Sequence, residues 1–334
     1  MTERPTPVPV LVVGAGVSGL VAARTLEANG HTSVVFDKAR SVGGRMATRR
    51  LVGHGGTVAL LDHGAQFFTA RSAEFQAEVE TWLSLGIARE WCRGFGVTQD
   101  GYPRYCAPGG MNAIAKHLAT SVRTAVNTTI KSIRTNGDRL VVATANEVDH
   151  VFSAVLLTPP VAQSLALCDN GSLVLPRDER QALEAVRYAC CLALLVTVNE
   201  SGLIGGPGGL QLTTDMDATF SFIADNQPKS VSAVPALTFH ANDAFSEAHF
   251  DDPDEELVAL LLSVAQPYLK RAEVVTVEVK RWRFARPTVT HPHRCLAVHP
   301  TPDTSLVFAG DAFGEARVEG AYLSGLAAAR RLMS

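Results

Sequence analysis

The sequence holds no CxxC pair. Its six cysteines, Cys92, Cys106, Cys168, Cys190, Cys191 and Cys295, are scattered along 334 residues. That excludes a dithiol reductase mechanism and reads as reduced, mostly packed thiols. No apolar run is long enough to span a bilayer, and the longest, CCLALLVTV, suits a buried strand. The amino end, Met1 to Pro9, is polar and proline-rich and lacks the apolar core of a signal peptide. These absences lead to the expectation of a cytoplasmic protein with no membrane partner. The formal net charge of −3 argues against nonspecific nucleic-acid binding. No repeat or low-complexity segment is present, and no Ser–His–Asp or paired-carboxylate constellation stands out. His291, His293, His299 and Cys295 are close in sequence, but the prolines between them and the lack of a second ligand cluster read as a loop, so no metal is expected.

The composition, 46% apolar and 19% charged, is that of a globular protein, and the length suggests two domains. Val8 to Val13 is an apolar run ending in Gly14-Ala15-Gly16. Val17 to Asn29 reads as a helix with Gly30 past its end, and Val34 to Phe36 as a second strand, so the chain opens with a β-α-β unit. Further helices are expected over Ser72–Leu85, Met111–Leu118, Asp254–Tyr268 and Val318–Leu332. Strands are expected over Ala125–Ile133, Leu140–Ala145, Val151–Leu157, Ala193–Val198, Ala236–His240, Val274–Phe284 and Leu306–Ala309.

Gly14-Ala15-Gly16-Val17-Ser18-Gly19 matches GxGxxG between a strand and a helix. Gly14 permits a tight turn, Gly16 lets backbone approach a pyrophosphate, and Gly19 lets the helix sit close to the strand. The helix start then faces the phosphates with free N–H groups. Asp37 ends the second strand, where an acid accepts hydrogen bonds from a ribose and disfavours a 2′-phosphate. The resident nucleotide is therefore FAD or NAD, not NADP. A second glycine pair, Gly43-Gly44-Arg45-Met46, follows, and an NAD alone would not require it. Near the carboxyl end, Phe308-Ala309-Gly310-Asp311 follows a strand, and Val318-Glu319-Gly320-Ala321 opens the last helix. Gly205-Gly206-Pro207-Gly208-Gly209 lacks a following helix, so there is no second dinucleotide domain.

On these motifs the chain resembles flavoproteins of the monoamine oxidase class. The run of FDKARSVGGRMAT, DHGAQFFTA, YCAPGGMNAIAKHL, LEAVRYACCLALLV, KRWRFARPTVT and FAGDAFGEARVEGAYLSGLAAA is, in order and spacing, similar to the renalases. The resemblance implies a noncovalently bound FAD that the extra glycines help to hold. It carries cofactor-binding positions onto Gly14, Ala15, Gly16, Ser18, Gly19, Asp37, Lys38, Gly44, Arg45, Met46, His63, Gly64, Ala65, Gln66, Ile130, Thr158, Gly310, Asp311, Val318, Glu319, Gly320 and Ala321. It also implies a small-molecule dihydronicotinamide dinucleotide substrate. The 2- and 6-dihydro isomers of NAD(P) are oxidised to NAD(P)+, hydride passes to flavin N5, and O2 is reduced to H2O2.

Gln66, Phe67, His240 and Trp282 are the residues expected to line the substrate pocket. Plain packing is the alternative for Gln66, Phe67 and Trp282, and a satisfied structural histidine for His240. Arg281, Arg283 and Arg286 read as a solvated strand face rather than a phosphate site. The expected fold is α/β: a discontinuous, Rossmann-like FAD-binding domain (1–70, 107–160 and 286–334) and an inserted α+β substrate domain with a mixed sheet (71–106 and 161–285). The rival readings are an amine oxidase or desaturase on the same fold, and a flavin-binding sensor or partner protein without turnover.

Overall fold

The computed structural model describes residues 9–95 and 100–334. The chain divides into two compact units. One holds the described residues up to Gly44, with Ala115–Arg187 and Pro287–Ser334; the other holds Arg45–Ile114 and Tyr188–Arg286.

In the first unit, Val10–Val13 is a four-residue strand, buried throughout. Such a run of branched apolar residues, buried on both faces, suits the interior of a parallel sheet. It pairs in parallel with Ser33–Phe36 on one side and Ala154–Leu157 on the other. Ser305–Phe308 then adds in parallel beside Ala154–Leu157, so the carboxyl-terminal segment completes the sheet. Leu296–Val298 adds antiparallel at one edge and Thr124–Ala125 parallel at the other. The sheet is mixed, with six strands. The helix Val17–Ala28 starts at Gly16 and stops at Asn29, after which Gly30 takes φ +80°. The closing helix Val318–Met333 lies against it, and Gly325 makes that approach possible: a Cβ there would sit 2.3 Å from the Ser18 carbonyl oxygen.

Two expected strands are each broken in two. Over 125–133, Asn127 takes φ +54° and its N–H bonds the Ala39 carbonyl. Thr124–Ala125 therefore stays in the six-stranded sheet, while Ile130–Asn136 joins a separate antiparallel meander with Arg139–Thr144 and Asp149–Phe152. The expected strand Val151–Leu157 breaks at Ser153, between that meander and the central sheet. Over Val151–Leu157 an apolar run looks the same in either sheet, whereas over 125–133 the local signal is Asn127, a residue type that tolerates positive φ. Two unexpected helices, Val161–Asn170 and Arg177–Glu184, start after Pro160 and Pro176.

The second unit is built on a five-stranded sheet in the order Gly209–Gln211, Phe220–Asp225, Ala236–Ala241, Arg187–Val198, Val274–Val289. The pairings among its first four strands are antiparallel. Period-two alternation sends Leu194, Val196, Ile223, Leu237 and Phe239 to one face, under Leu257, Leu261 and Ala265 of the helix Asp254–Leu269. The other face buries Leu195 and Ala236 against Ala59 and Leu61 of an unexpected hairpin, Thr48–Val52 with Val58–Asp62.

These contacts explain why the unit boundaries differ from those expected. Residues 45–70 belong with the second unit because the hairpin completes its core. Residues 161–187 belong with the first because the end of the helix Val161–Asn170 seats on the meander. There Asn170 donates to the Lys131 carbonyl at 3.0 Å, and a Cβ on Gly171 would strike the Ile133 carbonyl. Among the described residues no helix is long and apolar enough to cross a membrane.

Replacing Gly325 by Ala is expected to destabilise the fold by about 1–3 kcal/mol through backbone overpacking. Gly205→Ala, where a Cβ meets nothing within 4 Å, should leave the melting temperature unchanged. Thermal unfolding of the two variants side by side checks this.

Candidate functional site

The first unit carries a cradle made almost wholly of backbone. Gly14 takes φ +102°, and a Cβ there would lie 2.5 Å from Thr158 Oγ1. Thr158 in turn donates to the Val13 carbonyl at 2.8 Å and the Gly14 carbonyl at 3.2 Å, which fixes the turn. A Cβ on Gly19 would sit 2.0 Å from the Gly14 carbonyl oxygen. Gly16 is different. It caps the helix without a side chain, and a Cβ on it would meet nothing within 4 Å, so its face is open. Ser18 Oγ, next to this helix start, is buried and has no hydrogen-bond partner. An open face, an uncapped helix end and an orphaned hydroxyl are what a diphosphate requires.

Asp37 accepts from Ala15 N–H at 2.6 Å and Ala39 N–H at 2.7 Å, one on each carboxylate oxygen. Each oxygen keeps a lone pair for a ribose hydroxyl. The second glycine pair packs on the first loop. Gly43 N–H donates to the Ala15 carbonyl at 2.9 Å, and a Cβ on Gly44 would lie 3.4 Å from Gly16 Cα. Gly310, at φ +136°, donates to Ser324 Oγ at 2.8 Å. Asp311 follows it, half-buried. Val318 begins the last helix, with Glu319 buried in its first turn; Gly320 passes close to the Glu315 carbonyl, and Ala321 N–H closes back on Arg317. Ile130 is buried at the start of its strand opposite Thr144. Lys38 is exposed and its ammonium reaches Gln163 at 3.4 Å.

The remaining expected residues lie in the second unit. Arg45 donates to the Phe284 carbonyl at 3.3 Å, and Met46 is buried. A Cβ on Gly64 would sit 2.0 Å from the Arg45 carbonyl oxygen, which also accepts from Ala65 N–H at 2.8 Å. Trp282 stacks on His63 with ring centroids 5.2 Å apart and donates Nε1–H to the His63 carbonyl at 2.7 Å. Burial, aided by the Lys280 and Arg49 charges, holds His63 down to about 4. His240 is half-buried opposite Phe222 on the neighbouring strand, and desolvation likewise holds it at about 4. Both rings are therefore neutral at pH 7. Gln66 Nε2 lies 3.4 Å from His240 Nε2. Phe67 belongs to an aromatic group with Phe95, Phe222 and Trp91, at centroid distances of 5.2, 5.8 and 6.4 Å.

Beneath this face lie residues whose role was not legible in the sequence. Asp62 and Lys229 form an ion pair at 2.9 Å with no side-chain exposure. Asp62 Oδ1 also accepts from Thr48 Oγ1 at 2.7 Å and Met111 N–H at 2.8 Å, and Thr238 donates to the Asp62 carbonyl at 2.9 Å. Lys229 lies in the polar run ADNQPKS, which reads as a solvated turn. Arg281, Arg283 and Arg286 pair with Asp254, Asp251 and Asp243. An open groove of about 650 Å³, lined by Arg71, Glu80, Leu83, Tyr102 and Tyr105 among others, includes none of the expected pocket residues.

A family model described as flavin containing amine oxidoreductase matches residues 88–333, and one described as an NAD(P)-binding Rossmann-like domain matches residues 12–80. The chain belongs to the flavin containing amine oxidoreductase family. It is 37% identical over 101 residues to the putrescine oxidase of Kocuria rosea, covering 30% of this chain and 18% of that protein. It is 46% identical over 56 residues to the flavin-dependent L-tryptophan oxidase RebO of Lentzea aerocolonigenes, covering 17% of this chain and 12% of that protein. A solved structure of a putrescine oxidase redesigned in its cofactor binding superposes with a TM-score of 0.67 at 16% identity, covering 98% and 99% of the two chains. At that identity the likeness shows the fold.

The glycine cradle gives a sharp test of the flavin that the family name implies. Gly16→Val places methyl groups where the protein has no atoms. The apo-protein's melting temperature is expected to stay within about 2 °C of wild type, while the purified variant loses its bound flavin absorbance.

Asp225, at the start of the loop that carries Lys229, offers a pH test. Desolvation raises its carboxyl to about 6, so the folded state holds a proton that the unfolded chain releases near 4. Stability from this group is full below about pH 4 and is lost as pH rises through 6. Asp225→Asn keeps an acceptor for Gln227 N–H. It should gain on the order of 1–3 kcal/mol at pH 7 and nothing at pH 3.5, read by urea denaturation at the two pH values.

Proposed function

We propose that the chain is an FAD-dependent oxidase, resembling the renalases, that oxidises 2- and 6-dihydro-NAD(P) isomers to NAD(P)+ with reduction of O2 to H2O2. The observation that supports this reading is the neutrality of the half-buried face around His240. His63 and His240 are held uncharged, Gln66 is an amide, and Asp62 and Lys229 are consumed by each other. The two imidazoles are deprotonated but only weakly basic, with pKa values near 4, so such a face is poorly suited to removing a proton from a substrate carbon, and a dihydronicotinamide needs no such step. Rearomatisation of its ring drives hydride loss once the ring is positioned.

FAD, bound noncovalently, would supply the hydride acceptor and the reactivity toward O2. The residues of the chain do the rest. Gly16, Ser18 and the uncapped helix start would receive the diphosphate. Asp37 would hold the ribose hydroxyls and exclude a 2′-phosphate from the resident nucleotide. In the second unit, Phe67 and Phe222 offer flat apolar surface that excludes water and orients a planar ring.

Amine oxidation is the second reading, favoured by family membership and by the aromatic group around Phe67. An amine would bind there by cation–π attraction. The protein's own cations already use these rings, however: Arg104 lies 6.0 Å from the Phe67 centroid and Lys229 lies 5.2 Å from that of Trp91.

The test is anaerobic mixing of the flavoprotein with chemically reduced NAD+, which contains the 2-, 4- and 6-dihydro isomers. Pure 4-dihydro-NADH and a panel of amines run beside it. Rapid bleaching of the oxidised-flavin band by the mixture alone, with colour returning in air, is the expected result. Bleaching by an amine moves the assignment to an amine oxidase, and no bleaching by any of them overturns both readings.

A further inference from the structure

Lys229 sits in the loop between the strands Phe220–Asp225 and Ala236–Ala241, and its side chain has no exposure. An ammonium has three protons to place and can accept nothing. One goes to Asp62 Oδ2 at 2.9 Å and one to Gln66 Oε1 at 3.0 Å. The third lies on the side of the Trp91 ring, whose centroid is 5.2 Å from Nζ.

The second contact has a chemical consequence. Because Lys229 only donates, the Gln66 atom that faces it has to be the oxygen, which settles an amide orientation that geometry alone leaves open. Gln66 Nε2 is thereby turned toward the Asp62 carbonyl at 2.7 Å, the Gly64 carbonyl at 3.3 Å and His240 Nε2 at 3.4 Å. Two amide protons serve these three acceptors, and a histidine nitrogen that accepts one of them keeps its lone pair there, which places the ring proton of His240 on Nδ1.

A buried ion pair is weak evidence for stability, because desolvation offsets its Coulomb attraction and an apolar pair of similar volume would pack as well. An apolar pair would leave Gln66 free to turn. With Oε1 presented instead, His240 would favour a proton on Nε2, and the acceptor lone pair on that nitrogen would be lost.

We propose that Lys229 is a positioning residue of the active site: paired with Asp62, it orients Gln66 and so locks His240 as the Nδ1–H tautomer with Nε2 as acceptor. The functional part of this assignment rests on the reading of the His240 face as the substrate site; the tautomer itself does not.

The test uses the full-length flavoprotein labelled with ¹⁵N-histidine, the His240 signals being assigned by their loss in His240→Gln. In wild type, the Nε2 signal should be that of an unprotonated nitrogen and Nδ1 that of a protonated one. Lys229→Met alone strands the Asp62 charge, so the variant used is Asp62→Asn/Lys229→Met, which removes both charges. There the proton should move, wholly or in part, to Nε2. Gln66→Met leaves the ion pair intact and should release the tautomer in the same way, which keeps the test open if the double variant does not fold. In either folded variant, reduction of the flavin by the dihydro-NAD mixture should slow by about tenfold or more, with a smaller change in substrate affinity. A wild-type Nε2 that carries the proton, or a tautomer unmoved in both folded variants, overturns the proposal. Tautomer release in a protein that no dihydro isomer reduces upholds the positioning and sinks only the substrate assignment.

Discussion

A carboxylate with no solvent exposure must have its charge met and its lone pairs filled, and the second unit is organised by how Asp62 meets both demands. The Lys229 ammonium neutralises it. Thr48 Oγ1 and Met111 N–H fill the other oxygen. Its own backbone accepts from Gln66 and Thr238. These groups come from the hairpin, the segment before the helix Asn112–Ala119, the ADNQPKS loop and the central sheet. Breaking any one of them leaves a buried polar atom unpaired, which costs far more than the contact contributes on its own. The cluster therefore acts as a junction that fixes where Gln66 and His240 stand.

In the first unit the governing constraint is steric rather than electrostatic. Gly14, Gly19 and Gly325 each let backbone or side-chain oxygen come closer than a Cβ permits. The sheet, its first helix and its last helix can then pack at distances that larger residues forbid. Of the three glycines of the first motif, Gly16 alone keeps an open side. The same residue type serves two ends there, packing and access, and only the neighbouring atoms tell them apart.

Charges of the second unit are paired, at the surface along its long strand and in the interior at Asp62. Three arginines of the long strand Val274–Val289 are tied to aspartates, and Lys229 to Asp62. What surrounds His240 is a buried amide, half-buried aromatic rings and a second uncharged imidazole. Hydride chemistry suits such a face, since it asks for a dry, fixed surface more than for a proton acceptor.

Sequence alone determined the β-α-β opening, the glycine cradle, Asp37 and the last strand and helix. Their constraints are local: a positive φ, a close backbone approach, or an acid placed at a strand end. It also brought Gln66, His240 and Trp282 forward as candidates, on motif resemblance. The tertiary structure decided which sheet each strand joins, because Val151–Leu157 is as apolar on one side of the switch as on the other. It alone decided the fate of Lys229, a lysine among turn residues that reads as solvated until Asp62, 167 positions away, is folded against it. Burial of a charge is a property of what the chain brings together from far apart, and no window of sequence contains it.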